Sequence, residues 1–438
     1  MINRIFALIF ILVLVSASLF AGGKSELEVE DTEVSKISGT VTMSGGAYLM
    51  QSAQSVWDSG TMPEKYPDLK FVATGYPYLE YASKMKIAIS AGEKDPDILV
   101  VHSRWIQDFL ANDLVADVTE YVDRGNIVAS ALSHVTIDDR VYGWVYEIAP
   151  AVQYYRIDVL EEMGLSVPKT IDEYFDVGEK IAATGRYWDL IDPSGGTQVA
   201  AVEREFLGLL TQMGGDVFAA DGTVVINSDI GIRAAELFKR LADADFTGHI
   251  NAERPEGFSA VKDGRVVGNY TGYAWVHRMR DAVVEGDPTF GEWRIGSAPA
   301  WVPDGPMTGS ETGTWIFINK LSDNLEAAIE VAKYFGQTIE GQTKLANDHV
   351  IIGGYKPALE SLMDNSPSWP LLGNQGVQAK IAEIVLNTDV PIPQANPAFG
   401  ESLDILRDYL VRMLNDQLSP AEAMNEAAAE IKRKAQLK

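Results

Sequence analysis

Aromatic side chains set just beyond apolar runs are the chemistry-bearing feature of this chain. Trp105 follows the run Asp97 to Val101, Tyr273 and Trp275 follow Arg265 to Tyr270, and Tyr48 follows Gly39 to Met43. An apolar ring face lies against the C–H face of a pyranose while planar polar side chains hydrogen-bond its hydroxyls, so nine Trp and 17 Tyr suit sugar recognition. Most of these rings must still build a core. Trp57, Trp188, Trp293, Trp301 and Trp369 are read as packing or surface. Packing also remains the competing reading for Trp105, Trp275 and Trp315, the last of which lies inside an apolar strand. Among polar residues, Arg104 offers a bidentate clamp for a hydroxyl or carboxylate, with pairing to Asp108 in the same helix as the alternative. Asp216 and Arg278 are further polar candidates.

Motifs for covalent or metal chemistry are missing. No serine has glycines two residues to either side, as a nucleophile elbow requires. The histidines (His102, His134, His249, His277, His349) are scattered, with no His-Glu-x-x-His spacing. Gly23-Lys24-Ser25 imitates the end of a phosphate loop, but Ser18 stands where its first Gly belongs. A glycosidase needs two carboxyls ~5 to 9.5 Å apart across its substrate. Neighbours such as Asp138-Asp139, Glu161-Glu162 and Glu203/Glu205 read instead as solvated surface. The chain has no cysteine, which excludes disulfides, thiolate metal sites and a lipid-modified N-terminal Cys. A binding protein with no catalytic residues, metal or cofactor is expected.

The elements that must position these residues alternate strand and helix. Gly39 to Met43 reads as a strand, followed by the loop Ser44 to Tyr48 and a helix to about Gly60. Lys70 to Thr74 is a second strand, and Tyr78, Ala82, Met85 and Ile89 mark one face of the next helix. Pro96 to Val101 has no polar break after Asp97, as suits a central parallel strand buried on both faces. In such doubly wound α/β patterns ligands bind beyond the carboxyl ends of the strands. That rule directs attention to Gly45, Gly46 and Tyr48 after the first strand, and to His102, Ser103, Arg104 and Trp105 after the third. Helices are expected near 170–184, 198–213 and 230–243. Capping boxes at Thr170/Glu173 and Ser419/Glu422 open two helices.

The stretch Val141 to Tyr174 marks a joint. Val141 to Tyr146 reads as a strand stopped by the charge of Glu147, Ala149-Pro150 as a turn, and Val152 to Tyr155 as a second strand. Arg156 to Met163 reads as a short helix closed by Gly164. Three pieces of this stretch, Tyr142-Gly143-Trp144-Val145-Tyr146-Glu147, Tyr154-Tyr155-Arg156-Ile157-Asp158-Val159 and Gly164 to Glu173, resemble the carbohydrate-binding solute-binding proteins of ABC importers related to maltose-binding protein. The strand Gly313 to Asn319, the helix Ser322 to Gly336 and the segment Ile352 to Pro357 fit the same pattern, and the resemblance runs loosely over nearly all of the mature chain.

The resemblance implies an α/β, two-lobed periplasmic-binding-protein fold, each lobe a sheet flanked by helices, discontinuous in sequence with three crossings. Lobe 1 would comprise 39–147 and 296–354, and lobe 2 148–295 and 355–438, with Ile295 to Pro299 carrying the chain back to lobe 1. It also implies that Glu147, at the joint, contacts ligand or else forms a hinge salt bridge. An aromatic beside Gly272, either Tyr273 or Trp275, would stack on a sugar, and Tyr355 at the third crossing completes the ligand-binding set.

Bulk properties agree with two lobes, since 438 residues exceed one ordinary core. A formal charge of −26 argues against nucleic acid or anionic lipid as partners, which it would repel. Arg4 is the only charge before an apolar run from Ile5 to Phe20 that ends in Ala21-Gly22-Gly23. Such a run, shorter than the roughly 20 residues of a bilayer span, reads as a signal peptide over 1–21 with an uncleaved anchor as the alternative. An acidic flexible linker over 22–38 follows. The expected protein is periplasmic or secreted and monomeric. It captures a mono- or oligosaccharide by hinge closure and hands it to the permease subunits of an ABC importer. The alternatives are a polyamine or glycerol-phosphate type solute, told apart by counting Asp/Glu against Arg/Lys in the cleft, or a secreted glycoside hydrolase.

Overall fold

The computed structural model describes residues 37–189, 202–250, 254–388, 390–394 and 396–435. The expected signal peptide, the linker up to residue 36 and the start of the helix expected near 198 lie outside the described residues.

Eight strands among the described residues join into one sheet: β1 (Gly39–Gly46), β2 (Leu69–Tyr76), β3 (Ile98–His102), β4 (Gly143–Arg156), β5 (Trp188–Asp189), β6 (Val266–Gly272), β7 (Trp293–Gly296) and β8 (Ser310–Ile318). The order is β2-β1-β3-β8-β4-β6-β5, with β7 also paired to β4. β1 is parallel to β2 and β3, and β8 enters antiparallel between β3 and β4. The uninterrupted run Ile98 to Val101 is buried throughout, as a strand covered on both faces requires. Helix α1 (Ala47–Ser59) follows β1, and α2 (Tyr78–Ser90) buries Ala82, Met85 and Ile89. Tyr78 shares their angular position, but the first turn overhangs the carboxyl ends of the strands. There its ring is 46% exposed and meets His102 and Trp105, at 5.2 and 4.9 Å between centroids, in place of the core.

The joint is one strand of 14 residues, without the turn expected at Ala149-Pro150. Its first half pairs with β8 up to Pro150, and its second half with β6 from Ala151 onward and with β7 from Gln153 onward. Pro150 brings no N–H to the ladder, but it stands where the partner changes. Its carbonyl accepts from Tyr273 N–H at 3.2 Å, and Ala151 N–H resumes the ladder on the Gly309 carbonyl at 2.9 Å. Nor does Glu147 stop the strand, because Tyr273 and Thr314 hydroxyls satisfy its carboxylate. β4 and β8 therefore both run through the joint, and Ile148 N–H donates to Ile352 to bring in a third segment.

The stretch expected to carry the chain back is divided between the two cores, Trp293 and Ile295 joining the one that holds β1 to β3 and Ala298 and Trp301 the other. β7 pairs with the second half of β4, Ile171 N–H donates to the Ala300 carbonyl, and Trp301 packs edge-on against Tyr174 and Tyr270. β8 then enters the sheet between β3 and β4. Two large cores result. One gathers β1 to β3 with the helices Leu325–Gln337 and Val377–Thr388. The other gathers Val202–Gln212, Asp229–Ala242, Phe399–Leu414 and Pro420–Ala435. Local signals hold where the chemistry is local: Gly164 sits at φ +65°, Thr170 Oγ1 accepts from Glu173 N–H, and Ser419 and Glu422 cap each other reciprocally.

Candidate functional site

Two groups of side chains meet across the seam between the lobes. The first grows from the carboxyl end of β3. His102 Nδ1 accepts the Arg104 backbone N–H at 3.2 Å and so caps the turn Ser103–Trp105. Burial, followed by the charges of Arg104 and Arg204, pushes the imidazole down to about 3. With Nδ1 committed as an acceptor, the neutral ring carries its proton on Nε2.

Arg104 points across the seam into the other lobe. Its Nη2 donates to the Gly400 carbonyl at 3.1 Å and to Asp404 at 2.5 Å, and its Nη1 lies 3.5 Å from Glu203. Arg407 grips Glu203 through Nε and Nη2, both at 3.2 Å, and its Nη2 also reaches Asp404. Burial works against the Asp404 anion, yet the Arg104 and Arg407 donors outweigh it and hold its carboxyl below the usual range. The Asp108 alternative for Arg104 does not occur, because Asp108 takes Lys86 at 3.2 Å. Glu203 is not on the solvated surface either. Its helix is buried on nearly every face, and the carboxylate, 5% exposed, is tolerated there because two guanidiniums face it. A cavity of about 470 Å³ opens at this place, lined by Tyr78, His102 and Arg104 from one side and by Arg204, Asp404 and Arg407 from the other.

The second group surrounds the joint. Tyr48 follows Gly46, the last residue of β1 and the N-cap of α1. Its hydroxyl donates to the His349 carbonyl at 2.6 Å and lies 3.4 Å from Nε2 of His277 on the helix Trp275–Ala282. Burial, then Arg280, lowers the His277 pKa to about 4. Glu147 accepts from Tyr273 at 2.7 Å and from Thr314 at 3.2 Å, and burial raises its carboxyl although both hydroxyls pull the other way.

Other candidates are placed elsewhere. Tyr273 serves the joint from inside the core, fully buried, its hydroxyl spent on Glu147 and its carbonyl accepting from Tyr154 at 2.5 Å. Trp275, 3% exposed, packs edge-on against Tyr154 and Trp293. Trp315 stacks on His134 and donates to the Ala131 carbonyl at 2.9 Å, wholly inside the core. Arg278 is exposed on the helix beside Trp275. Asp216 lines a separate cavity, its oxygens accepting from Val217 and Gln394 N–H at 2.6 and 2.7 Å. Tyr355 bridges to Ile127 and donates its N–H to Gln342, away from the seam. Sequence reasoning missed Asp404 and Arg407, whose spacing of three on one helix was their only signal, and missed Tyr78 as a cleft residue. Among the described residues, no three His, Asp or Glu side chains converge as metal ligands.

Comparison with known proteins agrees with this architecture. A family profile described as bacterial extracellular solute-binding protein matches residues 62–372. The arabinooligosaccharide-binding protein of Bacillus subtilis is 24% identical over 395 residues, covering 85% of this chain and 87% of that protein. Two solved structures share the fold. The sugar-binding protein MalE of Xanthomonas citri has a TM-score of 0.75 at 15% identity, over 91% of this chain and 98% of that one. The galacto-N-biose-/lacto-N-biose I-binding protein of Bifidobacterium longum has a TM-score of 0.74 at 17% identity, over 92% and 98%.

Proposed function

The chain belongs to the bacterial extracellular solute-binding protein family, and on that premise we propose that it captures a mono- or oligosaccharide between its lobes and delivers it to the permease subunits of an ABC importer. The observation that carries this reading is the seam itself, where side chains of both lobes converge on one cavity of about 470 Å³. That volume lies within the range of small-molecule sites. Tyr78 offers a ring face in its lining, with Trp105 packed against that ring, and Arg104 and His102 offer planar hydrogen-bonding groups. A ligand touching both lobes favours the closed arrangement, which the importer then reads. The solute leaves chemically unchanged, and the working form is an exported monomer.

Calorimetry of the purified protein against a broad sugar panel tests the reading. Saturable binding of a saccharide is expected. Binding of another solute class with no response to any sugar would remove the carbohydrate assignment. New reducing ends on incubation with oligosaccharides would point to hydrolysis instead of carriage.

A further inference from the structure

The interlobe cavity is a basic spot on an acidic protein. The whole chain carries a formal charge of −26, yet three arginines, Arg104, Arg204 and Arg407, line this wall against the two carboxylates of Glu203 and Asp404. His102 adds a donor, because its Nδ1 is committed as an acceptor and its proton sits on Nε2.

The two carboxylates are not equivalent. Glu203, 5% exposed, is held by two nitrogens of Arg407, and releasing it would leave charges unpaired in the interior. Asp404 is 57% exposed and accepts from Nη2 of both Arg104 and Arg407. An exposed carboxylate turns to water at little cost. Its departure would leave two guanidiniums aimed at one point, an arrangement suited to a planar oxyanion. A neutral hydroxyl entering there would exchange a charge-assisted bond for a weaker one.

Resting on the reading that the cleft takes a saccharide, we propose that the solute is an acidic one, a uronic acid-bearing saccharide whose carboxylate takes the seat Asp404 occupies between Arg104 and Arg407. Glu203 stays in place and keeps Arg407 oriented. Because Arg104 belongs to one lobe and Arg407 to the other, an anionic group in this seat also ties binding to closure.

Calorimetry with the disaccharides of galacturonate, glucuronate, mannuronate and guluronate, with neutral galactobiose and with glucose 6-phosphate tests the seat. At least one uronate should bind about tenfold or more tightly than galactobiose, with an affinity that falls as salt is added. Asp404→Asn should raise the uronate-to-neutral affinity ratio about threefold or more, since asparagine keeps the volume and withdraws the competing charge, and Arg407→Gln should lower it. Binding of galactobiose with no uronate bound, or a ratio that falls in Asp404→Asn, overturns the seat and leaves the carbohydrate reading standing. Preference for glucose 6-phosphate over every uronate overturns it as well. If no saccharide binds, the carbohydrate reading itself fails. Melting curves check that each variant folds, and where one does not, the wild-type ratio and its salt dependence decide.

Discussion

Replacing Arg104 by alanine should open the lobes without unfolding either of them. The guanidinium is 11% exposed and makes three cross-seam contacts, to the Gly400 carbonyl, Asp404 and Glu203. Breaking a buried ion pair costs about 3 to 5 kcal/mol when the surviving charge is stranded. Here neither survivor is stranded, because Glu203 keeps Arg407 and Asp404 is 57% exposed with the same arginine beside it. The loss should therefore fall near that of a single hydrogen bond to a charged group, about 2 kcal/mol. Because all three contacts cross the seam, nearly the whole loss lands on the open–closed equilibrium. About 2 kcal/mol moves that equilibrium about 30-fold. Since the chain has no cysteine, Lys70→Cys and Asp172→Cys, exposed and one on each lobe, give a labelled pair for distance measurement by electron resonance. A longer interlobe distance is expected in Arg104→Ala, with the thermal midpoint of the lobes little changed. Arg104→Lys should behave nearly as badly, because an ammonium cannot span all three acceptors with a fork. An interlobe distance identical to that of the parent would refute the reasoning.

Three further outcomes follow from the same geometry. Burial raises the Glu147 carboxyl above its reference of 4.5, so in the window above that value the unfolded chain binds fewer protons than the folded one and stability falls as pH rises. Glu147→Gln retains an acceptor for Tyr273 and should flatten this fall in melting temperature against pH; an unchanged slope would count against it. His277 is depressed to about 4, so its contribution at the seam is present above its reference of 6.5 and is lost as pH falls toward about 4. The labelled pair should report opening over that range, and His277→Gln should weaken the pH dependence while His102, depressed to about 3, keeps its own part. Gly309 has no room for a side chain, as an added Cβ would lie 1.9 Å from the Gly208 carbonyl oxygen. Gly309→Ala must push β8 from the helix Val202–Gln212 and should cost about 2 to 3 kcal/mol, read as a lower urea midpoint. A midpoint equal to the parent's would show that the strand gives way freely.

Much of this protein was settled by the order of its residues alone. Apolar spacing put β3 and the buried face of α2 where they lie, and Gly164, Thr170 and Ser419 set helix ends through bonds to neighbours within a few residues. The joint at Glu147 was legible as well, although its continuity through Pro150 was not, because a proline is harmless only where its strand changes partner. What sequence could not decide was which strand-end side chains serve the core and which the cleft. Trp275 and Trp315 were taken up by rings and carbonyls from other elements, while Tyr78 was left at an overhang. Arg104 found its partners on helices far along the chain, Asp404 lying 300 residues away, and not in Asp108 one turn on. Local periodicity fixes how a segment folds because its hydrogen bonds close within a few residues. The direction in which a polar or aromatic side chain finds its partner depends on what layer arrives to cover it, and only the assembled lobes supply that.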